Sequence, residues 1–187
     1  MLGQLPTTLN INGTDYKIRY DYRNILRILQ CFNNDEMGDA EKVIVCLKRL
    51  YEHFSTIPQN DYTEAYEKAI AFIDFQAKSS GKSRPQPVVM DWTKDEQLIF
   101  PAINKVAGQE VRLMPVLHWW TFLGYYLSVD ADNLFSHIVA IRSKKSRGEK
   151  LDKAERRFYE ANRDICDLQS SGNTRKDAED ELDKMFK

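Results

Sequence analysis

Three histidines, three cysteines and a few carboxylate pairs are the residues of this chain that could do chemistry. Nucleophilic catalysis needs a Ser, Cys or Thr beside a base that is itself oriented. His53, His118 and His137 could supply the base, yet no Gly-x-Ser-x-Gly elbow and no cysteine-glycine signature accompanies them. Metal chemistry fares no better, because Cys-x-x-Cys, His-Glu-x-x-His and an Asp-rich calcium loop are all missing. The pairs Asp35-Glu36 and Asp130 with Asp132 stand where helices are expected to start, so capping and the helix dipole account for them. Gly81-Lys82-Ser83 lacks both the upstream glycine and the preceding strand of a phosphate loop. Cys31, Cys46 and Cys166 are far apart, and each lies beside apolar residues at helical spacing. They read as buried thiols in a reducing cytoplasm rather than a disulfide frame. The residues predict no enzyme, no cofactor and no metal.

What remains is binding. The run Leu117-His118-Trp119-Trp120-Thr121-Phe122-Leu123-Gly124-Tyr125-Tyr126-Leu127 is apolar nearly all round a helical wheel, as a buried helix is. His118 within it is expected to be a core residue with one satisfied nitrogen. The tryptophans most simply fill a core; the alternative is a hydrophobic anchor for a partner. The run is about half the length that a bilayer requires, so it is not read as a membrane span. Further on, Arg142, Lys144, Lys145, Arg147, Lys150, Lys153, Arg156 and Arg157 outweigh Glu149, Asp152 and Glu155. Such a stretch can bind phosphates, but it lacks interleaved aromatic residues for stacking. A solvated face is the simpler reading, and an acidic protein partner is favoured over DNA.

The elements that must position these residues follow from periodicity. The chain has 187 residues with 42% hydrophobic and 29% charged content and a net charge of −1, an ordinary balance for a globular domain without a global field. The N-terminus lacks the pattern of a secretory signal. Alternation on both sides of Asn12-Gly13 predicts a β-hairpin over 8–20. Helical spacing then predicts a helix from Asp21 to Asn33, with Tyr22, Ile25, Leu26, Leu29 and Phe32 inward. A second carries Ala40, Val43, Ile44, Leu47, Leu50, Tyr51 and Phe54. A third opens at Asp61 with Glu64 as a capping box. Gly81, Pro85 and Pro87 break the pattern and predict a loop at 78–90 between two halves. Thr93 with Glu96 suggests another capping box, and Pro101 is expected to kink or break the helix that follows. Leu113–Leu127 reads as one apolar helix, and Asp130 or Asp132 as the cap of the next. After Gly148, Leu151, Ala154, Phe158, Ala161, Ile165 and Leu168 alternate by three and four like a coiled-coil seam. The expected fold is mainly α, a bundle of about seven helices with an N-terminal hairpin. It forms one domain over 1–169, followed by a charged tail, 170–187, read as disordered or loosely helical. In that tail the spacing of Ala178, Leu182, Met185 and Phe186 fits one helical face, which is expected to order on binding.

One order of residues resembles a known family. Asp91-Trp92, Ile103-Asn104-Lys105-Val106-Ala107-Gly108, Leu117 through Tyr125, Ile141-Arg142, Phe158-Tyr159 and Asn162 are similar to the bacteriophage gene-product-fifteen family of tailed phages and prophages of Gram-positive bacteria. The resemblance runs to about Leu168. It implies a tail-assembly chaperone acting in the host bacterial cytoplasm, which binds the phage tape-measure protein and helps to recruit major tail protein. It brings no catalytic motif. Trp92, Trp119, Trp120, Tyr125 and Tyr126 are then the candidate anchors for a client helix, with Arg142, Lys144, Lys145 and Arg147 as a charged rim. Homo-oligomerisation is compatible with this reading. The rivals are a tail or connector subunit of the virion and a nucleic-acid-binding regulator using residues 142–157.

Overall fold

The computed structural model describes residues 3–75 and 88–168. Among them are eight α-helices and one two-stranded antiparallel sheet, so the chain is mainly α with an N-terminal hairpin. Two compact units result, Met1–Gln86 with Glu96–Asp130, and Pro87–Asp95 with Ala131–Lys187. The units interleave along the chain instead of forming halves before and after the loop expected at 78–90. Most of that loop and the expected tail 170–187 lie outside the described residues.

In the first unit, β1 (Thr8–Ile11) and β2 (Thr14–Lys17) pair with Ile11 opposite Thr14. The two turn residues take the left-handed backbone that this tight turn demands, Asn12 at φ 46° and Gly13 at φ 82°. Asn12 also donates its side-chain N–H to Asp61. The hairpin turn is thereby tied to the start of the third helix, and the capping box expected of Asp61 does not form. Helix α1 (Tyr22–Phe32) begins after Asp21, whose carboxylate accepts from the Arg23 N–H at 3.0 Å. Its buried face is Tyr22, Ile25 and Ile28, with Leu26 and Leu29 only half-buried. Helix α2 (Asp39–Leu50) buries Cys46, Leu47 and Leu50. It stops before Tyr51 and Phe54, which the sequence pattern includes. Tyr51 is extended and buried, and its hydroxyl donates to the Ala65 carbonyl at 2.8 Å. The Arg19 guanidinium caps α2 by donating to the carbonyls of Lys48, Arg49 and Tyr51, groups that a helix end leaves without intrahelical partners. Helix α3 spans Tyr62–Ile73 and α4 Glu96–Ala107; Pro101 lies inside α4 without ending it. Helix α5 is Trp119–Leu127. Tyr22, Phe100, Trp119 and Phe122 form the aromatic centre of this unit, with Tyr22 and Phe122 stacked at 4.3 Å.

The second unit begins with a turn over Trp92–Asp95, directly before the first residue of α4 in the chain. Asp91 accepts from the backbone N–H groups of Thr93 and Lys94, and Asp95 accepts from that of Asp91. Helix α6 (Leu134–Ser146) is capped by Asn133, so neither Asp130 nor Asp132 fills that role; Asp130 instead forms an exposed ion pair with Lys105. The α6 core face is Phe135, Ile138, Ile141 and Arg142, and Leu134 is exposed. The pair Asp35-Glu36 also precedes its helix without capping it, since α2 starts from Gly38. Helix α7 (Lys153–Ala161) has a complete capping box made by Asp152 and Glu155. The seam expected over 151–168 is cut at Asn162, where the backbone leaves helical geometry, and α8 (Arg163–Cys166) follows as a separate turn. Ala154 and Ala161 are consequently exposed while Cys166 is buried. Cys46 is buried too, and burial pushes its thiol up to about 12, so it stays neutral. Cys31 is half-buried, not the buried thiol its apolar neighbours suggested.

Candidate functional site

The aromatic run is positioned by a crossing of two distant segments. Asp21 and His118 form an isolated antiparallel bridge. The Tyr22 N–H donates to the Leu117 carbonyl at 3.0 Å, and the Trp119 N–H to the Tyr20 carbonyl at 2.8 Å. Backbone groups committed to that bridge cannot also serve a helix. The expected helix Leu113–Leu127 is therefore corrected to a start at Trp119. Pro115 acts in the same direction by pushing Met114 toward extended backbone. His118 caps α5. Its Nδ1 accepts from the Trp120 N–H at 3.1 Å and its Nε2–H donates to the Pro6 carbonyl at 2.9 Å. Both ring nitrogens of this buried histidine are thus satisfied.

The two tryptophans close the end of another helix. The Trp119 indole N–H donates to the Ile73 carbonyl at 2.8 Å, and that of Trp120 to the Phe72 carbonyl at 2.9 Å. These are the last turn of α3, where carbonyls lack intrahelical donors. Trp119 is 2% exposed and leaves the set of candidate anchors: a side chain enclosed in the core cannot reach a partner. Trp120 is half-buried, stacked on Phe72 at 5.7 Å and met edge-on by the exposed Phe75 at 5.1 Å. Tyr125 and Tyr126 on α5 are half-buried. Trp92, also half-buried, belongs to the second unit.

Among the described residues of the first unit, Leu113, Leu127 and Val116 are the most exposed large apolar side chains, and the sequence pattern places all three in one apolar helix. Val111–Leu113 form a single 3-10 turn, after which the chain bends at Met114 and Pro115 on its way to the bridge, with Met114 itself in extended geometry. Leu113 is 82% and Val116 59% exposed. Their backbone is nevertheless held on both sides. Arg23 donates through Nη2 to the carbonyls of Arg112 and Met114 at 3.0 and 2.7 Å, while Asp21 holds its Nη1. Asp21 also accepts from the Leu117 N–H at 3.0 Å. Upstream, Asn104 accepts from the Val111 N–H and donates to Glu110, which forks onto Arg112. Hydrogen bonds from Arg112 hold the Glu110 carboxyl down at about 2. The result is an apolar ledge on a pinned backbone. Met114-Pro115 was the signal available to find it, because a residue before proline avoids the helical region.

In the second unit the nominated rim cations are already engaged. Arg142 is buried at 7% exposure and faces inward, a correction to its place on the rim. Its guanidinium forks onto Asp95 at 2.7 and 2.9 Å and donates to the carbonyls of Val89, Ile165 and Cys166. Lys144 pairs with Glu155, and that hydrogen bond raises the lysine and lowers the carboxyl from their ordinary values. Lys145 bonds Asp167 at 2.7 Å and the Tyr159 hydroxyl. Desolvation opposes its charge, but these bonds outweigh it and hold the lysine raised. Arg147 pairs with Glu149 at 2.9 Å. A cleft of about 150 Å³ is lined by Val88, Arg142, Lys145, Cys166, Asp167 and Leu168, with both of its cations in ion pairs and its cysteine thiol raised by burial. Lys150, Lys153, Arg156 and Arg157 are exposed and have no ion-pair partner among the described residues.

Among the described residues, no group of three or more His, Cys, Asp or Glu is placed to hold a metal ion, and no helix is long and apolar enough to cross a membrane. No curated protein and no solved structure matches the chain. The family model described as Bacteriophage Gp15 protein matches residues 1–168 of the 187, and the chain belongs to that family.

Proposed function

We propose that this phage protein is a non-enzymatic tail-assembly chaperone whose client is the tape-measure protein. Membership of the Bacteriophage Gp15 protein family supports a role in building the phage particle. The observation that carries the chaperone reading is the pinned ledge, with Leu113 and Val116 exposed on a backbone that Arg23 and Asp21 hold in place. Apolar side chains on a fixed backbone dock an amphipathic client helix without an ordering cost on the chaperone side. Trp120, Tyr125 and Tyr126 are the remaining half-buried aromatic candidates in that unit.

Co-expression with the tape-measure protein of the same phage tests this. A soluble complex that depends on this chain is the expected result. The double substitution Leu113→Ser with Val116→Ser should weaken the complex at least tenfold, about 1.4 kcal/mol. It should change folding stability by no more than about 0.5 kcal/mol, since both side chains are exposed. A tape-measure protein equally soluble alone, with no complex formed, would sink the proposal. Finding the chain in purified particles would then favour a tail or connector subunit. The nucleic-acid reading loses support from the ion pairs of Arg142, Lys144, Lys145 and Arg147, whose charges are met within the unit.

A further inference from the structure

One row of cations escapes that neutralisation. Lys153, Arg156 and Arg157 lie at positions i, i+3 and i+4 of α7, on one side of the helix, and Lys150 precedes them. All four are exposed and without an ion-pair partner among the described residues. The carboxylates nearest in sequence are occupied: Asp152 and Glu155 form the capping box, and Glu155 also holds Lys144. Glu160 lies one helical turn beyond Arg156 and Arg157 and forms no ion pair with the row.

The same chain carries a segment of opposite character. Residues 177–183 read Asp-Ala-Glu-Asp-Glu-Leu-Asp, five carboxylates in seven residues with no cation among them. This run lies beyond Leu168, where the family match ends. Its reach is sufficient. Residues 169–176 separate Leu168 from Asp177, and nine extended steps span up to about 30 Å. The nine residues of α7 are only about 14 Å long, and α8, the last element before Leu168, packs on α7. A tethered segment meets its site at an effective concentration in the millimolar range, so weak screened charges are enough to hold it there.

We propose that the acidic run Asp177–Asp183 occupies the basic row Lys150, Lys153, Arg156 and Arg157 of its own chain. The row is then a docking face for an acidic segment, and the C-terminal run is its resident occupant. An acidic partner must displace that run to bind.

Zero-length carbodiimide cross-linking of the full chain, with mass-spectrometric mapping on a mixture of unlabelled and ¹⁵N-labelled copies, tests the contact. The expected products join Lys150 or Lys153 to a carboxylate of 177–183 within one copy, and they disappear at about 0.5 M salt, where charges are screened within a few ångströms. A second measurement uses retention on heparin. Neutralising the run in the full chain, with Asp177→Asn, Glu179→Gln, Asp180→Asn, Glu181→Gln and Asp183→Asn, should delay elution to higher salt. Adding Arg156→Gln with Arg157→Gln should reverse the delay. The same charge change at the exposed Arg27 and Lys68, to Gln, should leave it. Cross-links formed only between copies, cross-links from the run to other lysines only, or a delay that the two arginine substitutions reduce no more than the control pair does would each overturn the proposal.

Discussion

Two arginine–aspartate clamps, one in each unit, use the same chemistry to different ends. Arg23 and Asp21 hold the carbonyls of Arg112 and Met114 and the N–H of Leu117. Arg142 and Asp95 hold the carbonyls of Val89, Ile165 and Cys166 and the N–H of Asp91. In each, a planar fork of donors meets a carboxylate on one side and distant backbone on the other, which lysine cannot do. The difference is water. The side chains of the first pair are 35% and 25% exposed, those of the second 7% and 3%. The buried clamp must satisfy every group it encloses, and among the described residues no buried side-chain polar atom is left without a partner. The half-exposed clamp carries no such demand, and it can hold a surface loop in place while leaving that loop's side chains outside.

Substitutions should break this comparison unequally. Arg142→Ala strands the Asp95 carboxylate in the interior and should cost about 3–5 kcal/mol in urea unfolding. Adding Asp95→Ala should give back part of that loss, because the uncompensated charge is gone. Arg23→Ala removes a half-exposed pair and two bonds to carbonyls, so about 1–2 kcal/mol is expected. Its sharper signature should be faster proteolytic cleavage near Leu113–Val116. If the two arginine variants lose equal stability, burial is not what separates the clamps. Asp152→Ala deletes the α7 capping box and should lower stability less than either arginine substitution, with the loss confined to the second unit.

Acid sharpens the comparison by the smallest effect. Glu110 beside the ledge is held below its ordinary value of 4.5, at about 2, by Arg112. A carboxyl lowered by folding stabilises the protein above its unfolded value, and that contribution is lost as pH falls from about 4.5 toward 2. Glu110→Gln should therefore flatten the fall of melting temperature across that window. A slope remains, because Asp152, Glu155 and Asp167 in the second unit are lowered as well.

Features signalled by neighbours in sequence were legible. Asn12-Gly13 announced the hairpin, Asp21 the start of α1, and apolar spacing most helices. The core role of His118 could also be read, from the apolar residues around it. What escaped reading depends on partners far along the chain. The start of α5 is decided by a bridge to Asp21, which lies 97 positions earlier by residue number. The basic cluster looks like an excess when charges are counted in order, yet Asp95, Glu155 and Asp167 cancel Arg142, Lys144 and Lys145 only once the chain is folded. Face assignments slipped for a related reason. Tyr51 and Phe54 fit the α2 period, but the chain turns extended at Tyr51 to pair with Ile18. Of the nine site candidates, Trp119 and Arg142 are interior residues, and neither local spacing nor composition separates an aromatic or an arginine that anchors a partner from one that closes a core.

The paired indoles at the end of α3 also make that helix end visible to light. Trp119 and Trp120 donate to adjacent carbonyls, one ring enclosed and the other half-wet. Two of the chain's three tryptophans therefore emit from the last turn of a single helix. With Trp92→Phe silencing the third, ultraviolet-excited emission becomes a label-free gauge of whether that turn is closed. The chain reads out its own fraying in colour, with no dye attached.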